Sequence, residues 1–135
     1  MVNNGQGPQQ QPVSAREPVF LLPGAVTAVL ALFVVIHLAS TLVLNPEGQV
    51  EFLFWFAFQP LRIVAAPQDP SLAIPLIWTP FTHAFLHGGW EHLLVNTAWF
   101  AIFATPIARR YGTGPMLAIF LVSAAFDSAT VQTAA

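Results

Sequence analysis

Three long apolar runs dominate the chain, and the polar positions between them are few and clustered. The first covers residues 19–44, and beyond Ala25 only Thr27, His37, Ser40 and Thr41 interrupt it. About 20 helical residues cross the hydrocarbon of a bilayer, so this run predicts a spanning helix. Asn45-Pro46-Glu47-Gly48 ends it, because proline and glycine do not continue the helical ladder. His37 is expected to be a polar group turned toward a neighbouring helix.

Residues 45–90 form a long connection, aromatic (Phe52, Phe54, Trp55, Phe56, Phe58, Trp78) and punctuated by Pro60, Pro67, Pro70, Pro75 and Pro80. Stretches such as residues 51–58 are too short to span. They predict interfacial helices with their rings at headgroup level. A second span is expected over residues 91–108, closed by Arg109 and Arg110, and a third over residues 114–130. The strongly apolar part of the third ends at Phe126, and residues 127–135 are expected as a divergent polar tail. Residues 1–18, rich in Gln, Asn, Gly and Pro, have too few apolar groups to offset the entropy of ordering and are expected as a disordered leader. Residues 19–126 are thus one membrane domain. The fold class is all-α, a polytopic membrane protein of about three transmembrane helices with a long amphipathic loop after the first.

Composition strengthens this picture. The chain is 56% hydrophobic and 7% charged, against roughly 25% charged in soluble domains. Its net charge is −2 and it has no lysine, so the basic surface of a nucleic-acid binder is absent. Without cysteine, neither disulfides nor thiolate metal sites are possible. Arg16 precedes the first span and Arg109 and Arg110 follow the second, whereas the long loop carries Glu47, Glu51 and Asp69 against Arg62 alone. The positive-inside tendency then places the N-terminus in the cytoplasm and the long loop outside.

One segment concentrates candidate chemistry. His83, His87 and His92, three of the four histidines, lie within ten residues, and Asn96 follows His92 by four. On a helix that spacing places His92 and Asn96 on one face, with Cβ atoms about 5–6 Å apart. Polar groups in a spanning helix are costly unless satisfied, so both should face a protein interior or a wet cavity. Three readings compete. The side chains can simply cap loops and join helices. His83, His87 and His92 could hold a metal, since the first two have the spacing of the zincin histidines, but no glutamate or cysteine completes such a shell and no metal or other cofactor is expected. Finally, His92 and Asn96 could donate to one developing negative charge, as an oxyanion hole requires.

The string His87-Gly88-Gly89-Trp90-Glu91-His92-Leu93-Leu94-Val95-Asn96, with Phe81-Thr82-His83 before it, resembles the rhomboid family of intramembrane serine proteases. Residues 56–62 also look like the outer loop of bacterial rhomboids, and the resemblance covers roughly residues 19–125. It implies peptide-bond hydrolysis within or near transmembrane segments, in a bacterial inner membrane. It implies oxyanion positions at His92 and Asn96, a structural role for His87 within the outer loop, and a less defined place in that loop for His83. Transmembrane protein substrates and the lipid bilayer are the implied partners; nothing in it fixes an oligomeric state.

The family's nucleophile lies in a Gly-x-Ser-Gly setting and its base is a later histidine. None of Ser14, Ser40, Ser71, Ser123 and Ser128 has that setting, and no histidine follows His92. A hydroxyl without a base is a weak nucleophile. The chain is therefore expected to be a truncated or frame-shifted member, inactive as a protease alone. A non-catalytic relative that binds transmembrane clients, or a remnant that is degraded, are the alternatives.

Overall fold

The computed structural model describes residues 21–133, with side chains as far as Ser128. The leader expected over residues 1–18 lies outside the described residues. Every regular element among the described residues is helical.

Helix α1, Gly24–Leu38, continues through a π-helical turn, Ala39–Val43, so that Gly24–Val43 forms one 20-residue apolar rod. At 1.5 Å per residue it is about 30 Å long, the thickness of the hydrocarbon. It is the one helix among the described residues long and apolar enough to cross a membrane by those measures. The wider turn has a local cause: the hydroxyls of Ser40 and Thr41 both donate to the His37 carbonyl, at 3.0 and 2.7 Å, and compete with the backbone for it. Asn45 then starts α2, Pro46–Phe56, accepting the Gly48 N–H on its side-chain oxygen at 2.8 Å. A Cβ on Gly48 would lie 2.9 Å from that oxygen, so a side chain there would shift the Asn45 cap.

The outer loop is held by the unfilled carbonyls at the end of α2. Arg62, from α3 (Leu61–Ala65), donates to the Phe54 carbonyl and lies 4.2 Å over the Phe54 ring. The Trp78 indole donates to Trp55 at 2.8 Å, and the Thr82 hydroxyl to Phe56 at 2.7 Å. A 3-10 stretch, Pro70–Ile77, joins α3 to the four-residue α4, Thr79–Thr82. Terminal carbonyls with no partner inside their own helix thus fix where the histidine segment begins.

Helix α5, Trp90–Tyr111, is about 33 Å long, with Glu91, His92 and Asn96 toward one end and Arg109 and Arg110 in its last turn. Gly112, at φ 89°, turns the chain directly into α6, Thr113–Thr133. The apolar part of α6 is shorter, Thr113–Ser128. The helix runs on past Phe126 and past the expected residue 130. Alanines favour its continuation, and the Ser128 hydroxyl returns to the Ala125 carbonyl at 2.8 Å, satisfied within the helix.

Helix α1 packs on α5, and α5 on α6. Val26, Ala104 and Met116 form the buried contact of the three. Higher up, the buried Phe33 ring meets Phe85, Phe100 and Phe120 at centroid distances of 5.5–6.0 Å. Outward, Leu94, Trp99, Ile102 and Phe103 of α5 and Ile119, Val122 and Phe126 of α6 are exposed. In water such a surface would be an aggregation hazard; against acyl chains it is an ordinary exterior.

Candidate functional site

The site begins with the pinned loop. Because Thr82 is tied to α2, His83 falls at the start of a short 3-10 turn, His83–Phe85, and its Nδ1 lies 3.0 Å from the Thr79 carbonyl. A carbonyl only accepts, so that nitrogen carries the proton. The other, Nε2, lies 3.6 Å from a carboxylate oxygen of Asp127 on α6, an ion pair when the ring is protonated. Both ring nitrogens of His83 are therefore engaged.

His87 sits among rings: Phe33 at 5.1 Å, His92 at 5.4 Å and His37 at 6.4 Å. Neither of its nitrogens meets normal hydrogen-bond geometry. Burial lowers its pKa below the ordinary 6.5, and His92 and His37 add to that shift while the Phe85 backbone opposes it. The ring is a neutral packing element near neutral pH.

His92 and Asn96 come one turn apart on α5, and both line a single cleft of about 440 Å³ between α1, α5 and α6. The Gly88 N–H reaches His92 Nδ1 at 3.3 Å. An acceptor Nδ1 makes neutral His92 the Nε2–H tautomer, so the ring has a donor on its far side. The Asn96 amide supplies a second. The cleft is otherwise mainly apolar, walled by Phe33, Trp99, Phe100, Met116 and Phe120, and it is open on the side where His92 and Trp99 are exposed.

Two further polar residues line the cleft, one turn apart on α6: Ser123, which lacks the Gly-x-Ser-Gly setting, and Asp127, expected in the polar tail. Their four-residue spacing was the available signal, but nothing in it specified which helix they would face. No hydrogen bond between a serine hydroxyl and an imidazole is present among the described residues: Ser40 and Ser128 donate to backbone carbonyls and Ser71 to Asp69. No described cluster of His, Cys, Asp or Glu is arranged to hold a metal ion.

The segment that carries the site has relatives by sequence. Residues 75–134 match the Rhomboid domain model, a span that includes His83, His87, His92 and Asn96 and runs past Phe126 through residues expected as a divergent tail. Two Klebsiella pneumoniae proteins named Rhomboid protease GlpG, one from subspecies pneumoniae strain ATCC 700721 / MGH 78578 and one from strain 342, are each 37% identical over 67 residues. That alignment takes in 49% of this chain and 24% of each relative, so the chain spans about a quarter of their length. No solved structure matches. All four site positions lie inside the matched segment, so the part of the chain that carries the site is similar to the Rhomboid domain.

Proposed function

We propose that this chain carries the oxyanion-binding part of a rhomboid intramembrane serine protease, an enzyme that hydrolyses peptide bonds within or near transmembrane segments. One observation carries the reading: His92 and Asn96 line one cleft a helical turn apart, with His92 Nδ1 taken by Gly88 and Nε2–H left to donate. When a hydroxyl attacks a peptide carbonyl, negative charge moves onto its oxygen. Two preorganised donors in a largely apolar cleft stabilise that charge more than the neutral carbonyl, which lowers the barrier. His83 and His87 serve as structural residues that hold the loop and the foot of α5.

The attacking serine and its base are not among the residues of this chain, so the polypeptide alone is inactive. A bacterial inner membrane, a cytoplasmic N-terminus and transmembrane substrates complete the proposal. Fluorophosphonate labelling of the purified chain tests the inactivity: no serine should be labelled, and modification of Ser123 in the cleft would overturn it. The open apolar cleft also favours a second reading, in which the chain holds transmembrane clients without cutting them. Photo-crosslinking to a defined transmembrane peptide, with Phe100→Trp narrowing the cleft, separates the two: capture lost in that variant supports the client role.

A further inference from the structure

Gly88 and Gly89, which precede α5, have little rigidity of their own. Nothing lies within 4 Å of where a Gly89 Cβ would be, and Gly88 is exposed. Yet Gly88 supplies the N–H that orients His92. A segment of two glycines cannot hold that geometry unaided, so an external contact must fix the foot of α5.

That contact comes from α1, outside the matched segment. His37 is 2% exposed, and its ring meets Trp90, the first residue of α5, at 4.7 Å and 83°, edge to face. It also meets His87 at 6.4 Å and 88°, and His87 meets His92 at 5.4 Å. Neither nitrogen of His37 makes a normal hydrogen bond. A buried polar ring without such a bond is costly, so ring contacts are what its environment offers in return.

We infer that His37 is a positioning residue for His92: its ring, held rigid in α1, seats Trp90 and His87 and thereby fixes the His92 tautomer and direction. The inference rests on the proposed oxyanion role of His92, and it assigns α1 a part in the site that residues 75–134 do not contain. The ring acts by shape and edge-to-face contact rather than by proton transfer, so phenylalanine should replace it and alanine should not.

The test is 15N NMR of histidine-labelled full-length chain in lipid nanodiscs, read at His92. The parent should show a single Nε2–H tautomer. His37→Ala should convert it to a mixture of both tautomers, and His37→Phe should keep the single form. Trp90→Leu removes the same contact at a residue 54% exposed, without opening a buried site, and should also give the mixture. If His37→Ala does not fold, Trp90→Leu decides. A single Nε2–H signal in Trp90→Leu or in folded His37→Ala, or a mixture in His37→Phe, overturns the inference and leaves the oxyanion reading standing. A parent with Nδ1–H instead overturns that reading itself.

Discussion

The backbone N–H of Gly88 donates to Nδ1 of His92 across 3.3 Å, and that one bond determines what the imidazole can offer the cleft. It joins the last flexible residues of the loop to the first turn of α5. A ring otherwise able to donate from either nitrogen is limited to Nε2, the side away from the loop. Asn96, a turn further along, lines the same cleft.

A first prediction concerns rate. Residues 75–134 placed in the corresponding region of the Klebsiella relative should give an active protease if the segment supplies a working oxyanion site. In that chimera, Asn96→Ala or His92→Ala should lower kcat about 100-fold with a smaller change in KM, the usual effect of losing one oxyanion donor. Cleavage kinetics on a transmembrane peptide check this. Equal losses in kcat and in substrate affinity would point to binding instead.

Acid should loosen the fold through His87. Its folded pKa lies below 6.5, mainly through burial, with His92 and His37 adding to the shift. Between 6.5 and that lower value the unfolded chain binds the proton and the folded chain does not. The His87 contribution is therefore fully present above about pH 6.5 and is lost as pH falls below it. Thermal unfolding in detergent should show Tm falling from about pH 7 to pH 5, and His87→Phe should flatten the fall. An equal slope in that variant contradicts the assignment.

Phe33 joins all three long helices to the loop, touching Phe85, His87, Phe100 and Phe120. Buried phenylalanine cut to alanine costs about 3–5 kcal/mol in soluble cores. Packing persists in lipid while the hydrophobic term between helices fades, so Phe33→Ala should cost about 2 kcal/mol here. Unfolding by a denaturing detergent measures it.

The turn between α5 and α6 makes a sharper contrast. Gly112 has φ 89° and ψ 172°, a region essentially closed to residues with a Cβ, while Gly114 has no positive φ; neither Cβ would meet an atom within 4 Å. Gly112→Ala should destabilise by about 1–3 kcal/mol through backbone strain alone. Gly114→Ala should be neutral or slightly stabilising.

Hydropathy and spacing made much of the architecture legible. The first rod, the start of α5 after Gly89 and the shared face of His92 and Asn96 all follow from period and punctuation in the chain. What escaped depends on contacts between distant residues. The Trp90 ring could not be assigned to His37 from a separation of 53 positions. The carbonyls at the end of α2 became anchors for Arg62, Trp78 and Thr82 only through folding. The extent of α6 beyond the expected residue 130 is not legible in hydropathy, because polarity ends an apolar run without ending a helix: backbone bonding and alanine content carry α6 to Thr133.

The most direct test adds a small oxyanion to the folded chain and asks who receives it. With methylphosphonate titrated into 15N-labelled protein in nanodiscs, the His92 Nε2–H and Asn96 side-chain amide resonances should move together along one saturation curve. If neither moves, or if only one responds, the two groups do not converge on a single negative charge and the account fails.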